Sequence, residues 1–411
     1  DDDGDGDEPT DDPVDDEATE AEADGDADEG AGSGVQGTVV SGDDGGPLAD
    51  VVITFGDQTV TTGADGSFAL VPGNGDQLLI RRPTFQPVAV PIDDLDPDQA
   101  DGVEITLEPV LSRGVRVSRE VAADPQRYRE LLTQIGPTSV NSLVFDTKDE
   151  TGQVLYETDV ELAEQLGAVE ALYDPEDLLA DAIEAGLYPI TRVVTFEDKI
   201  WSAADAEAKL AGAWVDATNQ DNWEYPLDLA EEACRIGFAE IQFDYVRYPA
   251  GRTAEVAASQ VPATSAERAD VIASFLAEAK TRLEPMGCGV SAAIFGIVMS
   301  SETDEGIGQT VEAVSAQVDA VSPMLYPSHY GPGWLGFADP NDHPGPVIAD
   351  ALEDGIPKLS EPIQMRPWIQ AFYYNGAQIG AQITEAESRG AGWLLWNASG
   401  RYRDDWLPAG P

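Results

Sequence analysis

The sequence predicts an α/β protein: a (β/α)8 TIM barrel, preceded by an all-β sandwich and a disordered acidic tail. Three observations lead to this prediction. Eight apolar, strand-like runs alternate with helical segments over residues 112–406, and short strand-like runs separated by turns fill residues 35–110. Residues 1–34 hold 17 acidic residues and no basic ones. The 411 residues are enough for two or three domains of about 150 residues each.

The tail, residues 1–34, has almost nothing to bury, so we interpret it as a disordered linker. Acid excess continues along the whole chain, with 78 Asp and Glu against 22 Lys and Arg, a net charge of −56, and only five of the basic residues are Lys. This composition is typical of proteins from salt-loving archaea, because high salt screens the self-repulsion. It excludes a nucleic-acid binder with a basic surface.

The acidic tail and the cysteine content also suggest where the protein is located and whether its cysteines are paired. An acidic tether before a folded domain resembles mature secreted or lipid-anchored archaeal surface proteins. We therefore expect an extracellular or cell-surface protein, with a lipid anchor in a segment before Asp1 as one option, and a monomer. Cys234 and Cys288 are too few for a disulfide framework, and we expect them to be two small buried apolar side chains.

The all-β region is predicted from short runs with turn residues every 8–12 positions. Its candidate strands are residues 35–39, 51–55, 59–62, 67–70, 77–80 and 103–107. The pattern G-x-V, then G-x-P-L-x-x-V-x-I, then T-x-x-x-G-x-F-x-L resembles the carboxypeptidase regulatory-like modules of surface proteins. That resemblance implies a spacer or presentation module without catalysis.

The barrel is predicted from the change of period after residue 112. Its candidate strands are residues 114–118, 140–146, 188–194, 239–244, 289–295, 319–326, 366–372 and 392–397. Asp124-Pro125 and Asp174-Pro175 mark helix starts, and a glycine precedes several strands, where helices end. A doubly wound open sheet is the alternative, although no glycine-rich phosphate loop follows any strand.

Strand ends are where barrel enzymes carry their catalytic groups. In strand 239–244, Glu240, Gln242 and Asp244 share the inward face. Inward polar side chains are costly unless they pair, so Glu240 and Gln242 are also candidates for a buried structural network. Asp244 stands at the rim, where Arg247 could keep it ionised. Asp146 ends the second strand, and we expect it to face Asp244 across the mouth.

Carboxylates, amides and aromatic rings gather at these strand ends, a combination typical of sugar sites. In order, residues 112–406 contain SLVFDTKDETGQVLYET, GLYPITRVVTFED, GFAEIQFDYVRYP, DAVSPMLYPSHYGPG, RPWIQAF and GWLLWNASGRY. These strings resemble a family of glycoside hydrolases with a TIM barrel, formerly catalogued as a domain of unknown function. The resemblance implies cleavage of a polysaccharide or glycoconjugate. It assigns substrate binding to Lys148, Arg192, Arg247, Tyr248, Tyr326, His329, Tyr330, Gln370, Trp396 and Asn397.

We therefore predict a glycan hydrolase in which Asp244 is the nucleophile or base, and Asp146 or Asp149 is the proton donor. No cofactor or metal is implied, since two histidines are too few for a His-rich metal site. Relatives tend to carry an acid on the fifth strand where this chain has Ala293. A catalytically inactive glycan-binding surface protein is therefore the alternative, and a purely structural surface protein is the third hypothesis.

Overall fold

The computed structural model describes residues 35–71, 75–92 and 102–410. The predicted tail, residues 1–34, lies outside that part of the chain. An all-β region comes first, with strands β1 (Val35–Ser41), β2 (Val52–Phe55), β3 (Gln58–Thr61), β4 (Ser67–Leu70), β5 (Gln77–Arg81), β6 (Val88–Pro91) and β7 (Val103–Leu107).

These strands form two sheets, in the orders β4-β1-β7 and β3-β2-β5-β6. Val39, Ile53, Phe68, Leu78 and Ile80 are buried together in one apolar cluster to which both sheets contribute. In β4 the buried and exposed residues alternate strictly, as expected for a strand with one face in a core. The predicted N-terminal β-rich region is confirmed.

Strands and helices then alternate. The first half of this region contains β8 (Arg113–Arg116), α1 (Arg119–Ala122), α2 (Pro125–Ile135), β9 (Ser142–Lys148), α3 (Glu161–Gln165), α4 (Pro175–Glu184), β10 (Tyr188–Val194), α5 (Trp201–Ala204), β11 (Lys209–Ala211), β12 (Trp214–Val215) and α6 (Glu224–Ile236). The second half contains β13 (Glu240–Asp244), α7 (Gly251–Ala257), α8 (Ser265–Leu283), β14 (Gly289–Phe295), α9 (Val311–Ser315), β15 (Ala320–Leu325), α10 (Pro344–Gly355), β16 (Gln364–Met365), β17 (Trp368–Gln370), α11 (Gly376–Glu387) and β18 (Trp393–Trp396).

The central sheet is parallel and closed. Its order is β14-β13-β10-β9-β8-β18-β17-β15, and β14 also pairs with β15, which completes the circle. The seventh position is split into β16 and β17, because Pro367 has no N–H to donate to the ladder. The (β/α)8 barrel is confirmed, and the doubly wound alternative is excluded.

Local sequence explains where the helices begin. The Asp124 side chain accepts hydrogen bonds from the backbone N–H groups of Gln126 and Arg127, and Pro125 occupies the first helical position of α2. Tyr128, Leu131 and Ile135 then bury one face of α2 against the strands. Such helix faces enclose the barrel and leave its inward side chains to form the interior and the mouth.

Both cysteines are buried as predicted, but the expectation that they are separate apolar side chains is wrong, because Cys234 and Cys288 form a disulfide with Cα atoms 6.1 Å apart. Cys234 lies near the end of α6 and Cys288 directly precedes β14. Because β13 follows α6 and pairs with β14, the closed sheet brings the two cysteines together at the N-terminal end of the strands. Arg81 of the β-rich region donates a 2.8 Å hydrogen bond to the Cys234 carbonyl.

The β-rich region therefore contacts the end of the barrel opposite the mouth. Its Thr84 N–H also donates to the hydroxyl of Tyr188, the first residue of β10. Over the described residues, no helix is long and apolar enough to cross a membrane.

Candidate active site

A cavity of about 740 Å³ opens at the C-terminal ends of the barrel strands. Strands β10, β13, β14, β15, β17 and β18 contribute side chains to it, and the segments after β13, β14 and β15 line the rest. Its lining residues are Arg192, Asp244, Tyr245, Arg247, Phe295, Gly296, Ile297, Met324, Tyr326, His329, Tyr330, Gly331, Trp334, Trp368 and Trp396.

The inward polar face of β13 divides into two parts. Glu240 accepts a 3.0 Å hydrogen bond from Arg366, and both side chains are fully buried. Gln242 accepts a 2.9 Å hydrogen bond from the indole N–H of Trp368. These partners satisfy the two buried groups, so Glu240 and Gln242 form a structural network beneath the cavity. Of the three inward polar residues of β13, only Asp244 lines the cavity.

Arg192 on β10 joins three carboxylates at the mouth. Its Nε donates to Asp244 Oδ2 at 2.8 Å, and its Nη1 donates to Asp146 Oδ1 at 2.8 Å and to Glu150 Oε2 at 3.1 Å. Burial lowers the pKa of Arg192, but the carboxylates outweigh burial and hold that pKa well above its ordinary value. Because β9 and β13 flank β10, Asp146 and Asp244 lie on one wall, bridged by Arg192, rather than facing each other across the mouth.

Asp146 does not line the cavity, and guanidinium groups bind both of its oxygens. Its Oδ2 accepts hydrogen bonds from Arg116 Nη2 at 2.6 Å and Nε at 3.2 Å, while Oδ1 is bound by Arg192. The side chain is almost fully buried. The guanidinium groups of Arg116 and Arg192 also lie over the Trp396 ring, at 4.4 and 5.1 Å from its centroid. This arrangement makes Asp146 a positioning residue for the two arginines.

The backbone fixes the Asp244 carboxylate at the rim. Its Oδ1 accepts a 2.7 Å hydrogen bond from the N–H of Tyr245, and its Oδ2 is bound by Arg192. Tyr245 has φ = 51°, a left-handed conformation that is uncommon for a bulky residue. Strained backbone of this kind persists where the surrounding structure holds it, and it clusters at functional sites. The sharp turn ends β13 directly after Asp244.

Glu197 is a second carboxylate, whose charge interacts with those of Arg247 and Asp244; it is not among the residues that line the cavity, and the sequence analysis did not select it. It follows β10 by three residues and is half-buried. Burial raises the pKa of Glu197, and the nearby charges of Arg247 and Lys199 offset this only in part. A signal was present in the sequence, because Glu197 lies in TFED, just beyond a predicted strand end.

Glu150 is another carboxylate that the sequence analysis did not select. It follows β9 and lies beside Arg192 and Arg116, at 3.1 and 4.0 Å. Burial alone would raise its pKa, but these two guanidinium groups lower the pKa of Glu150 to about 2. Glu150 is therefore ionised, whereas Glu197 holds its proton to higher pH.

Arg247 lies in an aromatic cage at the edge of the cavity. Its guanidinium carbon is 4.6, 5.2 and 4.1 Å from the ring centroids of Trp214, Tyr245 and Phe295. Nη1 donates to the Tyr248 carbonyl at 2.8 Å. Burial lowers the pKa of Arg247, although an arginine stays charged near neutral pH.

The other predicted site residues separate into two groups. Tyr326, His329, Tyr330 and Trp396 line the cavity. Lys148 and Asp149 do not: the register of β9 on β10 shifts after Arg192, and Lys148 binds Asp198 at 2.6 Å outside the mouth. Asp149 accepts a 2.7 Å hydrogen bond from Arg119 and shapes the loop after β9.

Three further predicted residues hold the walls rather than line the cavity. Tyr248 is buried in the main apolar core. Gln370 accepts a hydrogen bond from the Ser328 N–H at 3.1 Å. Asn397 donates to the Ala371 carbonyl at 2.6 Å. Gln370 and Asn397 thereby tie the loops after β15 and β17 in place.

Ala293 on β14 is fully buried in the barrel interior. Asp304, further along, does not stand in for an acid at that position, because Arg268 binds both of its oxygens at 2.7 and 2.8 Å. Among the described residues, no group of three or more His, Cys, Asp or Glu side chains is arranged to hold a metal ion.

Comparison with known proteins points to one reaction class. A family model described as "Putative glycosyl hydrolase domain" matches residues 114–402, well over half of the chain. The solved glycoside hydrolase domain of PgaB (BpsB) from Bordetella bronchiseptica aligns at a TM-score of 0.52 and 11% identity, over 71% of this chain and 95% of that one. At this identity the likeness concerns the fold.

A hypothetical protein from Ruminiclostridium thermocellum is 27% identical over 43% of this chain and 96% of its own, with a TM-score of 0.38. No curated protein matches the chain.

Proposed function

The chain belongs to this family of glycosyl hydrolase domains, and on that premise we propose that it cleaves an extracellular or cell-envelope polysaccharide with Asp244 and Glu197 as its two carboxylates. The observation that carries this assignment is the difference between their surroundings. Asp244 is paired with Arg192 at 2.8 Å, whereas the pKa of Glu197 is raised by burial. Two carboxylates in unlike environments are the pattern of a glycosidase acid and its partner.

Asp244 is suited to act as the nucleophile or base. The Arg192 guanidinium and the Tyr245 N–H each bind one of its oxygens, which fixes the position of the carboxylate in the cavity wall. It lines the cavity, so a sugar seated there meets it. Asp146, by contrast, does not line the cavity and is bound by two guanidinium groups, and its proposed role is to hold Arg192 in position.

Glu197 is suited to act as the proton donor. A general acid needs a pKa raised toward the working pH so that it is protonated when the leaving oxygen departs. Burial acts on Glu197 in that direction. The ionised Glu150 is a poor donor, because Arg192 and Arg116 lower its pKa to about 2.

Aromatic side chains support a polymeric substrate. Tyr326, Trp334 and Trp396 line the cavity, and aromatic rings stack on the apolar faces of sugars. Beyond them, Tyr373 is 88% exposed on the rim after β17 and has φ = 63°. An exposed ring carried on strained backbone next to the mouth is suited to hold a sugar unit outside the cavity.

The Cys234–Cys288 disulfide supports a location outside the cytoplasm. Disulfides persist in oxidising compartments and are rare in cytosolic proteins other than those of hyperthermophiles. A cell-surface enzyme would also meet polysaccharides there. A lipid anchor and a monomeric state remain predictions.

The test is a panel of cell-envelope and secreted polysaccharides, incubated with the protein in molar KCl. Both bound protein and released reducing ends are measured, for the parent and for Glu197→Gln and Asp244→Asn. Release by the parent, with loss of about 10²–10⁴-fold in Glu197→Gln, supports the proposal. Binding without release selects the inactive glycan-binding protein, for which Ala293 is the argument. If the parent protein neither binds nor cleaves any polysaccharide of the panel, the hydrolase and the glycan-binding hypotheses are both contradicted.

A further inference from the structure

Arg247 is a buried cation in the cavity wall without a carboxylate partner. It is 6% exposed, and within the described part of the chain no Asp or Glu oxygen lies within 4.0 Å of its nitrogens. Among the described residues, its one hydrogen bond goes from Nη1 to the Tyr248 carbonyl, and Nε has no partner. Burying a charge without a partner costs several kcal/mol.

Other buried cations of the barrel contrast with it. In the described ranges, carboxylates bind the buried cations Arg116, Lys148, Arg192 and Arg366. With 78 acidic residues available to 22 basic ones, a carboxylate partner is easily supplied, although among the described residues the buried Arg81 of the β-rich region also has none and donates to the Cys234 carbonyl. Trp214, Tyr245 and Phe295 surround Arg247 instead. The rings hold the guanidinium at the cavity edge and leave its charge unneutralised.

The nearby acids do not cancel this charge. Asp244 is already bound to Arg192 at 2.8 Å. Glu197 acts on Arg247 only at longer range, and burial favours its neutral form. The lining of the cavity therefore offers one positive group, Arg247, to which no Asp or Glu in the described part of the chain binds directly.

We propose that Arg247 binds an anionic group of the substrate, so that the glycan carries acidic sugar units, either hexuronic acids or sulfate esters. This inference rests on the proposed function and names the substrate class of that site. An oxygen anion is the natural partner of a guanidinium, which binds carboxylates and sulfates through charge-assisted hydrogen bonds. The net charge of −56 opposes an anionic polymer at long range, but the Debye length of about 3 Å at 1 M salt leaves mainly direct contacts.

The experiment is equilibrium titration in molar KCl with matched sugars: glucuronate against glucose, galacturonate against galactose, and glucose 6-sulfate against glucose. Parent protein is compared with Arg247→Met, which keeps an unbranched apolar chain inside the cage, and with Arg247→Lys, which keeps the charge. Melting curves establish that each variant is folded. A charged hydrogen bond corresponds to about a 10- to 100-fold difference in affinity.

We expect at least one acidic sugar to bind about 10-fold or more tightly than its neutral partner, to lose that advantage in Arg247→Met and to regain part of it in Arg247→Lys. The pairs distinguish a carboxylate from a sulfate. The inference is overturned if no acidic sugar is preferred, or if the preference survives in Arg247→Met. The titration measures binding without cleavage, so its failure can be told apart from a failure of the proposed function. If the protein releases sugar from a neutral polysaccharide and Arg247→Met does not change that release, the hydrolase is upheld and the acidic substrate is rejected.

Discussion

The ion pair between Glu240 and Arg366 gives a quantitative test of the conclusion that Glu240 stabilises the barrel whereas Asp244, on the same face of β13, acts in the cavity. Both side chains are fully buried, with Arg366 Nη1 donating to Glu240 Oε2 at 3.0 Å. Glu240→Gln removes the carboxylate and leaves Arg366 without a counter-charge. Breaking a buried pair costs about 3–5 kcal/mol, a large share of a total stability of about 5–15 kcal/mol.

At about 2 °C per kcal/mol for a large domain, the melting temperature of Glu240→Gln should fall by about 6–10 °C. Thermal unfolding followed by circular dichroism in molar KCl measures this. The matched control is Glu240→Gln combined with Arg366→Met, which removes both charges and should cost less than the two single changes added together. If Glu240→Gln lowers the free energy of unfolding by less than about 1 kcal/mol, or if its activity per folded molecule falls as much as that of Asp244→Asn, the structural role of Glu240 is refuted.

Four further outcomes are expected. Replacing Cys234 and Cys288 by Ser opens a loop with a sequence separation of 54 and should lower the free energy of unfolding by about 4 kcal/mol; equal urea midpoints would contradict this. The melting temperature should rise strongly from low to molar KCl, as screening removes self-repulsion among the acidic residues, whereas a flat response would reject the salt-loving interpretation. Turnover should fall as pH rises through the raised pKa of Glu197, since the donor is lost on deprotonation. The stabilisation from Glu150, whose pKa is lowered to about 2, should be present above its ordinary pKa of 4.5 and lost as pH falls toward 2. A pH–rate profile checks the prediction for Glu197, and melting curves at acid pH check the prediction for Glu150.

The features predicted from the sequence are those with local causes. The spacing of apolar residues and the helix caps depend only on residues close in sequence, so the alternation of strands and helices could be predicted, and it indicated the closed barrel. The inward phase of Glu240, Gln242 and Asp244 followed from the two-residue period of a strand. The rim position of Asp244 needed only the rule for strand ends.

What the sequence could not supply depends on contacts between distant segments. The pairing of Cys234 with Cys288 requires β13 and β14 to be neighbours in a closed sheet. Lys148 leaves the mouth because the register of β9 shifts by one residue, which no local pattern marks. Burial of Glu197 depends on the loop after β10, and its raised pKa appears only when that loop is folded.

The role of Glu197 as proton donor is tested most directly by comparing two leaving groups. Once the panel identifies the sugar, turnover by Glu197→Gln is measured on the polysaccharide and on an aryl glycoside of that sugar, whose leaving group departs without protonation. We predict that kcat/KM, which reports cleavage of the glycosidic bond whether Asp244 acts as nucleophile or as base, falls about 10²–10⁴-fold on the polysaccharide and stays close to that of the parent on the aryl glycoside. An equal loss on both substrates, or no loss on either, would contradict the assignment.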